Sequence, residues 1–113
     1  MMKKILEKSL LQKIERLEAF EDRMKIRLEN LSIKIDNNNW LTLFCEVHPL
    51  NGTTINEYIE VECVIYDNEG TILEVDSKSL DEEDFFGFEI LKFDFYDKEL
   101  VDKIGKIRLY PKK

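Results

Sequence analysis

Apolar residues recur at steps of three and four through Leu6, Leu10, Ile14, Leu17, Phe20 and Met24, with Ile5 and Leu11 widening the stripe and charged residues opposite. A period near 3.6 predicts one amphipathic helix over residues 3 to 22. From residue 24 the period falls to two, so the chain reads as a leading helix (1–23) and a run of strands (24–113) in a single globular unit. Across residues 24–36 the apolar set changes parity, from Met24, Ile26 and Leu28 to Leu31, Ile33 and Ile35. That slip predicts a β-bulge or a short break near Asn30.

Asn37-Asn38-Asn39 predicts a turn, because Asn tolerates left-handed backbone angles. Alternation over residues 40–48 turns Leu41, Leu43, Cys45 and Val47 toward a core, and over residues 58–67 it does the same for Ile59, Val61, Cys63 and Ile65. Asn51-Gly52 marks a turn, and Asp67-Asn68-Glu69-Gly70 marks a tight hairpin into a strand over 71–77. After the acidic loop 81–84, residues 85–96 read as an aromatic strand whose apolar parity switches from Phe86, Phe88 and Ile90 to Leu91, Phe93 and Phe95, predicting a second bulge. One helical turn over 97–104 should end at Gly105, and a last strand, 106–110, should be stopped by Pro111, as at a sheet edge. Six or seven short strands at this spacing predict a mainly β fold, an antiparallel sandwich behind an N-terminal amphipathic α-helix.

The apolar helical stripe needs a partner, because exposed ion pairs along a helix add only tenths of a kcal/mol each. A heptad through it would set Lys3, Glu7 and Glu21 in the seam, which favours docking on the strands over pairing with a second copy.

Composition narrows the functional classes. Of 113 residues, 43% are apolar and 36% charged, enough for one packed core. Glu7, Lys8, Gln12 and Lys13 break up the apolar start that an export signal requires, and eighteen apolar residues never run together, so the expected location is cytoplasmic and no membrane partner is expected. The net charge of −7 is unevenly spread: residues 24–102 hold 6 basic and 19 acidic groups, whereas residues 103–113 hold five Lys and Arg and no acid. An acidic body repels phosphate backbones, so nucleic acid is not an expected partner. Scarce Ala beside abundant Ile, Lys and Asn suggests an AT-rich bacterial or phage source.

The segment Val61-Glu62-Cys63-Val64-Ile65-Tyr66-Asp67-Asn68-Glu69-Gly70-Thr71-Ile72-Leu73 resembles the bacterial FxLYD-type and related immunoglobulin-like domains, in which a strand ending in Tyr-Asp enters a polar-Gly hairpin. Cys63 and Ile65 stand where that signature has Phe and Leu, the aromatic stretch 86–95 is similar to a later strand, and the resemblance covers residues 24–111. It implies an immunoglobulin-like fold serving as an accessory or binding module, with no catalytic residues. Those domains usually belong to exported proteins, whereas export is not expected of this chain.

The candidate chemistry is sparse. Cys45 and Cys63 share inward parity, so a disulfide is conceivable, but two buried thiols suit a reducing cytoplasm better. His48 is the one histidine and has the opposite parity from Cys45, which argues against Cys-His catalysis and against a zinc set. Asp81, Glu82, Glu83 and Asp84 could gather a calcium ion, but they match no dedicated calcium loop and adjacent carboxylates usually face water. No catalytic residue, cofactor or metal is therefore expected. Trp40, Phe44, Tyr58 and Tyr66 have outward parity and could form one patch for a protein partner or for self-association, unless the helix covers them. The expected function is a non-enzymatic interaction or accessory module. The alternatives are an acidic inhibitor or antitoxin-like protein occupying a basic surface, and a dimeric structural protein.

Overall fold

The computed structural model describes residues 2–113. Among them the chain is mainly β, with two helices and two sheets: α1 (Met2–Leu11), β1 (Ile14–Arg16), α2 (Glu18–Met24), β2 (Ile26–Ile35), β3 (Leu41–Pro49), β4 (Ile59–Tyr66), β5 (Ile72–Leu80), β6 (Glu89–Phe95) and β7 (Lys106–Lys112), with one 3₁₀ turn at Leu100–Asp102. One sheet runs β1-β7-β4-β5 and the other β2-β3-β6. All pairings are antiparallel except β1 with β7, which is parallel.

Both sheets feed one core through alternate residues, among them Leu41, Leu43, Cys45 and Val47 of β3, Ile59, Val61, Cys63 and Ile65 of β4, Leu91, Phe93 and Phe95 of β6, and Ile107 and Leu109 of β7. The predicted break near Asn30 is present: β2 shifts register against β3 between Glu29 and Ser32, and Asn30 takes φ 51°. At the hairpin after β4, Asp67 accepts the Glu69 and Thr71 N–H groups on its carboxylate, and Gly70 takes φ 85°. Gly105 lies so close to that hairpin that a Cβ would come within 2.6 Å of Asp67 and Asn68 backbone atoms, which is why the position demands glycine.

Three expectations are corrected. The single helix over 3–22 is divided, because residues 14–16 leave it to become β1. They fill the free edge of β7 opposite residues 107–109, and Lys13 accepts the Ile107 N–H at 3.1 Å. An unbroken helix of that length would project about 30 Å; dividing it brings Leu10 and Met24 separately into the core. Tertiary pairing here overrides helical propensity.

The second predicted bulge is absent. Phe85 enters the core, Gly87 turns the chain at φ 80°, and β6 pairs with β3 without a slip, so Phe86, Phe88 and Ile90 stay outside. Pro111 does not lie on an edge strand, since β7 sits between β1 and β4. Ile107 directs its N–H toward β1, and the alternation puts residue 111 on that same side, past the end of β1, where no N–H is needed.

The free side of β2 is closed by two carboxylates. Glu7 of α1 accepts the Ile35 N–H at 2.8 Å, and Glu21 of α2 accepts the Leu28 N–H at 3.3 Å. The bulge between these residues is what turns one even and one odd position toward the same edge.

Candidate interaction surface

The outer face of β2-β3-β6 is built from the outward parity of three strands. β3 contributes Thr42, Phe44, Glu46 and His48, with Trp40 just before it. β6 sets Ile90 opposite Glu46, Lys92 opposite Phe44 and Asp94 opposite Thr42, while β2 sets Lys34, Ser32 and Arg27 opposite Thr42, Phe44 and His48. Aromatic groups close the face at both ends. At one, the His48 and Phe88 rings stack in parallel with centroids 5.1 Å apart; at the other, Trp40 meets Tyr96 edge to face at 5.0 Å. The eight residue steps from Trp40 to His48 span about 27 Å of strand.

Polar groups on this face are held in fixed pairs. Glu46 accepts from Asn30 at 2.9 Å and lies 2.8 Å from His48 Nε2. These bonds, the one to His48 foremost, hold its carboxyl below the usual glutamate range. Thr42 donates to Asp94 at 2.8 Å, and Lys92 lies 3.9 Å from the same carboxylate. The apolar groups have no such cover: Tyr96 is 69% exposed, Ile90 62%, Phe88 49% and Trp40 37%.

The other sheet presents a different outer surface, laced by charge. Glu15 pairs with Arg108 at 2.7 Å, Glu62 with Lys112 at 2.8 Å, Tyr110 donates to Glu62, and Arg108 lies over the Tyr66 ring at 5.3 Å. Its bond to Glu62 raises the Tyr110 hydroxyl to about 12, and the Lys112 ammonium holds the Glu62 carboxyl low.

The four outward aromatics singled out in the sequence are thus divided. Trp40 and Phe44 share the β2-β3-β6 face, whereas Tyr66 lies on the opposite sheet and Tyr58 stands just before β4, 46% exposed. The expectation that the leading helix covers them is corrected as well: α1 packs on β2, and α2 packs on β7 and β2, where Phe20 meets Tyr110 at 5.6 Å. Phe88, Ile90 and Tyr96 were missed as surface groups. An unbroken register counted from Phe95, Phe93 and Leu91 makes every even position outward, but the parity change fits a bulge equally well.

Cys45 and Cys63 are free, fully buried thiols, and burial pushes both up, Cys45 to about 12. Asp81 is engaged in its own turn, accepting the Glu83 N–H at 3.0 Å. Among the described residues no three His, Cys, Asp or Glu side chains converge as a metal site, and no helix is long and apolar enough to cross a membrane.

No protein-family model and no curated protein matches the chain. A crystal structure of the Campylobacter jejuni protein cj0090 is similar in fold, with a TM-score of 0.51 at 10% identity over 88% of this chain and 95% of that one.

Proposed function

We propose that the chain is a non-enzymatic protein-interaction module that presents the outer face of β2-β3-β6 to a protein whose contacting surface is apolar at its centre and carries both signs of charge at its rim. The observation that carries this reading is the exposed apolar band Trp40, Phe88, Ile90 and Tyr96 around the half-buried Phe44, lying opposite a sheet surface occupied by ion pairs. Exposed aromatic and aliphatic groups gathered on one face are the usual mark of a contact surface. The mixed rim follows from complementarity to the charges of this face, where Arg27, Lys34 and Lys92 stand among Glu46 and Asp94. An immunoglobulin-like sandwich belongs to the same reading. The order β2-β3-β6 beside β5-β4-β7 matches the immunoglobulin pairings A-B-E and C′-C-F, with β1 where strand G would stand.

A second reading, an acidic inhibitor occupying a basic surface, is favoured by the cleft of about 540 Å³ between β5 and β6, lined by Glu74, Asp76, Asp94 and Asp97 with Lys78. One experiment separates them. A photo-crosslinking amino acid at Ile90 or at Glu74 captures the partner in extract of the source cells, and calorimetry with the purified partner follows. The proposal expects capture from position 90, and Phe88→Ala and Ile90→Ala should weaken binding about tenfold or more while Tyr66→Ala leaves it unchanged. Binding that ignores Phe88 and Ile90 but falls steeply with salt supports the inhibitor instead.

A further inference from the structure

Four strand edges are open to addition in this fold, and three of them carry a device against it. Glu7 and Glu21 occupy the Ile35 and Leu28 N–H groups of β2, and the helices that carry them pack against that strand. β1 is three residues long. On β5, residues Glu74, Asp76 and Lys78 stand opposite the core-facing Ile65, Cys63 and Val61, so its charges point inward. Short edges and inward charges are how sheets discourage a new strand.

β6 is the exception. Lys25 accepts the Leu50 N–H and Asp36 gives its N–H to Trp40, so the even residues of β3 bond toward β2 and the odd ones toward β6. The partners of those odd residues are Glu89, Leu91, Phe93 and Phe95, which leaves the main-chain groups of residues 90, 92 and 94 on the open edge. Among the described residues no hydrogen-bond partner occupies their N–H groups. The strand is seven residues long, regular, and free of proline and bulges.

We infer that β6 pairs antiparallel with β6 of a second copy about a two-fold axis at Phe93, joining the two three-stranded sheets into one of six strands. The side chains choose both partner and register. An axis at residue 93 sets Lys92 against Asp94 of the second copy, Asp94 against its Lys92, and Ile90 against its Tyr96, giving two reciprocal ion pairs flanked by two apolar pairs. An axis at residue 92 sets Lys92 against itself, and one at 94 sets Asp94 against itself; one at 91 sets Lys92 against Ile90. A two-fold interface must be complementary to its own copy, and only the register centred on Phe93 satisfies that along this edge. A lone edge lysine ordinarily repels a second strand, and here Asp94 supplies its counter-charge. The axis is perpendicular to the sheet, so both apolar faces stay on the same side and the proposed contact surface is doubled. The inference shares Ile90 and Tyr96 with that surface and adds the main-chain groups of the edge, which the face reading does not need.

Sedimentation equilibrium of the whole chain, from micromolar to near-millimolar concentration, tests it. The wild type should be a monomer–dimer system, and Lys92→Asp and Asp94→Lys should each raise the dissociation constant about tenfold or more, since each makes both central pairs repulsive. Mixing the two variants should restore association as a heterodimer. Far-UV dichroism checks folding of each. Should Asp94→Lys unfold through its lost bond to Thr42, the exchange is repeated with Ile90→Asp and Tyr96→Lys, whose side chains are exposed. A wild type that stays monomeric throughout, or a dimer indifferent to these changes, overturns the pairing. Either result leaves the face reading standing, because its own test is the contrast between Phe88 and Tyr66.

Discussion

The ion pair between β1 and α2 should behave asymmetrically. Glu21 has no exposed side-chain surface, whereas Arg16 is 31% exposed. Arg16 binds it with two hydrogen bonds, 2.9 and 3.0 Å, while Leu28 donates at 3.3 Å and Arg27 stands at 3.9 Å. Replacing Arg16 with Met strands a carboxylate in the core with one main-chain donor and a distant cation. Breaking a buried pair from that side costs about 3–5 kcal/mol in general, and the half-exposed Arg27 can move in, so about 2–4 kcal/mol is expected. Replacing Glu21 with Met strands a guanidinium that reaches water and orphans one N–H, at about 1–3 kcal/mol. The double variant strands no charge and should cost about 1–2 kcal/mol, less than Arg16→Met alone. Urea unfolding followed by circular dichroism yields all three values. If the two single costs add in the double variant to within about 0.5 kcal/mol, the pair is not coupled and the reasoning fails.

Four further outcomes follow from packing and charge. Gly105→Ala should lower stability by about 1–3 kcal/mol in the same assay, because its Cβ would meet backbone rather than a movable side chain. Glu62 has a lowered carboxyl, so its contribution is fully present above the ordinary value of 4.5 and is lost as the pH falls through the lower folded value; Glu62→Gln should therefore flatten the acid limb of a stability–pH curve. Tyr110, raised to about 12 chiefly by Glu62, should appear as a late tyrosine in an ultraviolet titration and should move back toward 10 in that variant. Both thiols should resist a thiol reagent until denaturant is added, since both are buried and shifted away from the reactive thiolate.

Much of the sheet content was legible because period-two alternation records burial directly. The inward sets of β3 and β4, the slip near Asn30 and the Asp67–Gly70 hairpin needed only local rules of parity and turn chemistry. The candidate surface was half legible: Trp40 and Phe44 were found by parity, while Phe88, Ile90 and Tyr96 were masked because a parity change looks the same whether the backbone bulges or the apolar residues simply remain exposed.

Tertiary structure decided the rest. The stripe from Leu6 to Met24 satisfies a helical period throughout, and no local signal marks Ile14–Arg16 as a strand; the demand comes from the empty edge of β7, some ninety residues later in the chain. The same holds for Glu7 and Glu21, which read as solvent-facing helix residues and become caps on β2 only when the sheet edge is brought beside them. Alternation reports which way a side chain faces. Which edges stay unpaired, and what closes them, depends on contacts between segments far apart in the chain, and so arises only when the sheets assemble.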